Sequence, residues 1–102
     1  MRYRVVLIDD DQRFMEALSV WLLTDGRFEI AGTAANGREG VEVVAREQPD
    51  VVLMDIDMPV MDGVEASRRI HDAHPEVPIV IVSASQFEER ARSLRAPRTG
   101  KR

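Results

Sequence analysis

The segment Val51-Val-Leu-Met-Asp55-Ile-Asp57-Met-Pro59-Val-Met-Asp62-Gly63 constrains this chain more than any other. Four apolar residues deliver a carboxylate to the end of a strand, and turn-forming residues follow at once. Val5-Val-Leu-Ile8 leads in the same way into Asp9-Asp10-Asp11. Short, uninterrupted apolar runs are strands covered on both faces, as in a parallel sheet. Ligands of such sheets sit beyond the carboxyl ends of the strands. Asp9, Asp10 and Asp55 converging there would repel one another. At about 5 Å and an effective dielectric of about 20, each pair costs roughly 3 kcal/mol. Packing gains nothing from that arrangement, but a hard divalent cation relieves it. Mg²⁺ takes oxygen ligands and is often held by one or two carboxylates while a phosphate completes its shell.

The rest of the chain alternates strand and helix signals. Arg4 to Ile8 reads as a first strand. Asp10 or Asp11 can cap a helix from about Gln12 to Leu23, in which Phe14, Leu18, Trp21 and Leu22 recur at helical spacing, and Gly26 suits its end. Phe28 to Ala34 alternates and reads as an edge strand with one polar face. Asn36-Gly37 turns the chain into a second helix, about Arg38 to Glu47, which is expected to bury Val41, Val44 and Ala45 before Pro49 ends it. Val51 to Met54 is a third strand. A third helix, about Gly63 to Ala73, carries Val64, Ala66, Ser67 and Ile70. Pro78 starts the strand Ile79-Val-Ile-Val82, and Glu88 to Leu94 can form a short fourth helix. The alternation predicts an α/β fold with a right-handed, doubly wound parallel sheet.

Composition fits one small domain: 102 residues, 44% hydrophobic. No Cys occurs, which excludes disulfides and thiolate metal sites. No apolar run is long enough for a membrane span, and the first strand starts within a few residues of Met1. A cytoplasmic protein without membrane contact is therefore expected. The net charge of −4 is unevenly spread: residues 86–102 hold six basic and two acidic side chains. That basic stretch has no aromatic interleaving, so direct DNA binding is not expected. Met58 and Met61 read as packing residues, since thioethers suit soft metals.

With its Asp9-Asp10 pair, its Asp55-to-Gly63 loop and Ser83 after a fourth apolar strand, the chain resembles the receiver domains of bacterial two-component response regulators. Among these it looks most similar to the NarL/FixJ (LuxR-type) subgroup. The resemblance covers residues 1–96 and leaves 97–102 as a basic tail. It implies a CheY-like (flavodoxin-like) sheet in the order 2-1-3-4. It also implies Asp55 as phosphoacceptor, with Mg²⁺ held by Asp10, Asp55 and the backbone carbonyl of Asp57. Asp9 would act on the metal through water, and Ser83 would hydrogen-bond the phosphoryl group. The partner implied is a sensor histidine kinase, and the output is transcription regulation. Such a domain accepts a phosphoryl group and can lose it again, so no turnover enzyme is expected.

The family ends a fifth strand with a Lys that pairs with the phosphoryl group. Here Leu94-Arg-Ala96 is followed by Pro97-Arg-Thr-Gly-Lys-Arg102, with no apolar strand to carry Lys101 to the site. The expectation is an incomplete domain lacking its fifth strand and helix, as an early stop, a shifted frame or a cloned truncation would leave it. Each large apolar side chain then left uncovered forfeits roughly 1.5–3 kcal/mol, against a total stability of about 5–15 kcal/mol. A homodimer or larger assembly through the fourth strand and fourth helix is therefore expected. Two other readings stay open. One is an aspartyl-nucleophile phosphatase built on Asp55-Ile-Asp57, which leaves Asp9-Asp10 without a role. The other is a receiver-like interaction module that binds a kinase or regulator without phosphorylation-driven switching.

Overall fold

The computed structural model describes residues 2–56, 58 and 60–82. Asp57, Pro59, Ser83, the expected fourth helix and the 97–102 tail lie outside the described residues. Elements follow in the order β1 (Tyr3–Ile8), α1 (Gln12–Asp25), β2 (Phe28–Ala34), α2 (Gly37–Glu47), β3 (Val51–Met54), α3 (Gly63–Ala73) and β4 (Ile79–Ile81). The four strands form one parallel sheet in the order β2-β1-β3-β4. This is the expected CheY-like architecture.

β1 is the spine of the core because its side chains are buried on both faces. Val6 and Ile8 join Val43, Val44, Val52, Met54, Ala66 and Ile70 beneath α2 and α3. Val5 and Leu7 join Met15 and Leu22 beneath α1. Alternation along a strand thus sorts consecutive valines and leucines into two separate clusters. Each helix begins at a side-chain cap: Asp11 for α1, Asn36 for α2 and Asp62 for α3 each accept from the N–H three residues on. Gly26 closes α1 at φ 86°, a left-handed posture that costs glycine nothing. The register of β1 against β2 slips between Val5 and Val6, so that Val5 pairs Ile30 and Val6 pairs Gly32. Ala31 is the extra residue of a bulge in this edge strand.

Three packing expectations need correction. Trp21 recurs at helical spacing with Leu18 and Leu22 yet is 70% exposed; Met15 and Leu22 are the buried residues of α1. α1 sits over β1 and β2, and its flank toward β4 borders an open apolar groove of about 680 Å³, lined by Phe14, Leu18, Trp21, Leu53 and Val80 among others. On α2 the buried pair is Val43 and Val44, while Ala45 is exposed; one turn before them, Gly40 seats the helix on Ile8 of β1. On α3, Ala66 and Ile70 are buried but Val64 is exposed, as are Val80 and Ile81 of β4.

Candidate phosphoryl and metal site

Every strand of a parallel sheet points its carboxyl end the same way, so β1 and β3, which are neighbours, deliver their following residues to one place. Register makes this concrete: Ile8 pairs with Met54, and the N–H of Asp55 donates to the carbonyl of Ile8 at 2.9 Å. Carboxylate oxygens of Asp9, Asp10 and Asp55 all lie within 4.8 Å of one another. Asp9 and Asp55 are buried, at 5% and 9% exposure, whereas Asp10 faces solvent.

The three carboxylates are held differently. Asp9 is anchored by its N–H on the carbonyl of Ala34, at 3.0 Å, and its Oδ1 accepts the N–H of Asp11 at 2.8 Å. Burial pushes its carboxyl up to about 6, helped by the negative charges of Asp55, Asp10 and Asp11 and opposed by the hydrogen bond from Asp11. Asp11 is spent on capping α1, where its Oδ1 receives the N–H of Phe14 at 3.1 Å. It therefore stands outside the trio, and the alternative of Asp10 as the cap falls away. Oxygen donors only, two of them withdrawn from water, suit a hard divalent cation such as Mg²⁺ and not a soft one.

The loop after Asp55 is tied down by glycines. The N–H of Gly63 donates to the carbonyl of Ile56 at 2.7 Å, and a Cβ on Gly63 would stand 2.2 Å from the carbonyl oxygen of Asp55. Only a residue without a side chain lets α3 start this close to the acidic strand end. Met58 is buried and Met61 packs against the same core cluster, so both serve packing as expected. Val60 adopts φ 73°. For a β-branched residue that is a strained posture, worth on the order of 1–3 kcal/mol. The sequence reading missed two features here: Val60's strain, and the N–H of Gly37 on the Met61 carbonyl at 3.1 Å. The Asn36-Gly37 pair announced a helix start, but no local signal said what that start would touch. Of the expected site residues, Asp9, Asp10 and Asp55 come together, while Asp57 and Ser83 lie outside the described residues.

The response regulator receiver domain family model matches residues 5–97. The chain belongs to that family. A protein-glutamate methylesterase/protein-glutamine glutaminase from Geobacter metallireducens is 48% identical over 95% of this chain and 28% of its own length. The receiver thus spans about a quarter of the curated relatives it matches. The response regulator domain of Thermotoga maritima CheB superposes with a TM-score of 0.74 at 29% identity, covering 89% of this chain and 72% of that one. The receiver domain of the putative response regulator NarL from Mycobacterium tuberculosis gives 0.77 at 30%, covering 81% and 67%. A CheX–CheY–BeF3–Mg²⁺ complex from Borrelia burgdorferi gives 0.76 at 28%, covering 88% and 68%.

Two expectations change. The NarL/FixJ subgroup is not singled out, because receivers of methylesterase and LuxR-type proteins are similar to this receiver alike. The expectation of no enzyme is also corrected: the curated relatives at 40–49% identity are enzymes, and what they share with this chain is the receiver span. Among the described residues, no helix is long and apolar enough to cross a membrane.

Proposed function

We propose that this receiver takes a phosphoryl group from a sensor histidine kinase onto Asp55, in a two-component response regulator. The observation that carries the reading is the convergence of Asp9, Asp10 and Asp55 within 4.8 Å at the carboxyl ends of β1 and β3. In this reading an oxygen of the Asp55 carboxylate attacks phosphorus in line. The P–N bond of a phosphohistidine breaks as the O–P bond forms, and the imidazole leaves with a proton. The acyl phosphate so formed is open to hydrolysis, which returns Asp55 to its starting state. Mg²⁺, held by Asp10, Asp55 and the backbone carbonyl of Asp57 with Asp9 acting through water, would neutralise charge on the transferring group. Ser83 would donate to a phosphoryl oxygen. Residues 1–96 form the receiver unit in this proposal, with 97–102 as a basic tail that does not bind DNA.

The 48% identity to a methylesterase receiver supports a chemotaxis-type setting, in the cytoplasm, where phosphorylation would control an attached catalytic domain. The likeness to the NarL receiver favours a second setting, control of a DNA-binding domain and hence of transcription. Val80 and Ile81, exposed at the β4 edge, support self-association through that side.

Incubation with a small phosphodonor and Mg²⁺ tests the central claim by intact mass. One phosphoryl group should be added, labile to hydroxylamine and lost in Asp55→Asn. No addition to the folded protein would leave the phosphorylation-independent interaction module as the better account.

A further inference from the structure

We infer that Gly37 is a positioning residue for the chemistry at Asp55, its backbone N–H holding the loop between β3 and α3 in a posture that loop would not keep unaided. The inference rests on reading Asp55 as the phosphoacceptor. The loop contains Val60 at φ 73°, a left-handed conformation that a β-branched residue keeps only where its surroundings impose it. The next peptide along is what the surroundings grip: the carbonyl of Met61 accepts the N–H of Gly37 at 3.1 Å. Among the described residues, that is the one backbone hydrogen bond reaching residues 56–62 from outside β3 and α3.

The contact exists only because residue 37 has no side chain. A Cβ there would stand 2.2 Å from the carbonyl oxygen of Met61 and 2.9 Å from its carbon, both backbone, so no rotamer change relieves the clash. Helix α2 has no need of glycine at this position for its own sake. Asn36 caps it through the N–H of Glu39 at 2.9 Å, Glu39 reaches back to the N–H of Ala35 at 2.7 Å, and alanine is the better helix former. One turn on, Gly40 seats the same helix on Ile8, where a Cβ would stand 2.5 Å from Cδ1. The first turn of α2 therefore grips both carboxylate-bearing segments, the residue before Asp9 and the loop after Asp55. Phosphoryl transfer depends on placing nucleophile and counter-charges to a fraction of an ångström, so releasing one grip slows the reaction without removing a reacting group.

The test compares phosphorylation rates of the full chain at saturating small phosphodonor and Mg²⁺, with thermal melting alongside. Gly37→Ala should slow the reaction roughly tenfold, in line with the cost of a misplaced reacting group. Adding Val60→Gly frees the left-handed posture but leaves the clash at residue 37, so the double variant should stay slow. Gly32→Ala disturbs α2 at its far end, where the new methyl would meet Cγ1 of Val43 at 2.8 Å; it should lower melting without changing the rate. If Gly37→Ala does not fold, Val60→Pro decides. It forces φ negative in an exposed loop, so slowing supports the inference and a wild-type rate overturns it. Equal rates for wild type and Gly37→Ala, or recovery to the wild-type rate on adding Val60→Gly, overturn it as well. A wild-type chain that accepts no phosphoryl group removes the phosphoacceptor reading and this inference with it, whereas failure in Gly37→Ala alone leaves that reading intact.

Discussion

The N–H of Asp55 donates to the carbonyl of Ile8 at 2.9 Å, so the residue proposed to carry the phosphoryl group is bonded to the residue that precedes the Asp9-Asp10 pair. Chemistry and sheet register are one arrangement here: a slip of β3 along β1 by one residue would turn every buried side chain outward and break the acidic trio.

Metal binding should therefore depend on carboxylates and not on reshaping of the fold. Mg²⁺ titration followed by the amide shifts of residues 9–11 is expected to respond in the millimolar range, an order of magnitude set by how reluctantly Mg²⁺ sheds water. Asp10 is exposed, so Asp10→Asn leaves the packing alone. It should abolish the response and raise metal-free stability by ~1 kcal/mol as one repulsive partner disappears. Unchanged Mg²⁺ affinity in Asp10→Asn would remove Asp10 from the site.

The metal-free protein should lose stability as pH rises from about 4 to about 6. Asp9 titrates near 6 in the folded state, above the ordinary carboxylate range. Within that window the unfolded chain has released its proton and the folded chain keeps it, so folding is favoured at the acid end and the penalty is complete above about 6. Glu47 and Glu65 are held below their usual range by arginine partners. Their opposite effect sets in below about 4.5, at the acid edge of this window. Melting curves across pH 4–7 should show the decline in wild type and a flat response in Asp9→Asn; parallel curves would contradict the assignment to Asp9.

The cap of α3 is a separable contribution. Asp62→Ala removes the acceptor for the N–H of Glu65, 2.9 Å away. It should cost about 1 kcal/mol in chemical denaturation. Ile70→Ala, at a fully buried position on the inward face of the same helix, should cost about 2–5 kcal/mol. A cap loss as large as the core loss would mean that Asp62 also supports the neighbouring loop.

Self-association should be visible by light scattering over a concentration series, and Ile81→Lys should disrupt it. Ile81 is exposed on the last described strand, on the α3 side of the sheet, where it lines an apolar pocket with Ile56, Val64 and Ile79. A wild-type chain that melts cooperatively as a monomer at low micromolar concentration would contradict the prediction.

Periodicity and punctuation are enough to read the four strands and three helices of the described residues, and the acidic trio. Val5–Ile8 and Val51–Met54 are too short and too apolar for anything but strands covered on both faces, and the residues following them had to meet. Where the reading failed, the deciding contact was not local. Spacing groups Trp21 with Leu18 and Leu22, but burial depends on what stands opposite, and Trp21 borders an open groove. Ala45 lost to Val43 because Gly40 seats α2 on Ile8, which turns Val43 and Val44 into the cluster around it. Val60's posture and its tether to Gly37 join residues far apart in sequence, and neither leaves a trace in the string of letters around it.

The extra residue at Ala31 gives the two margins of the sheet unequal characters. Beside that bulge, the β2 margin carries Glu29, 3.8 Å from the Arg4 guanidinium, and charge with added twist discourages a further strand from zipping on. The β4 margin presents Val80 and Ile81 instead. Among the described residues, the β4 side is thus the one open to strand addition. If copies meet through β4, they use up the one receptive margin found among the described residues, and growth then terminates at a pair and does not run on into a fibre.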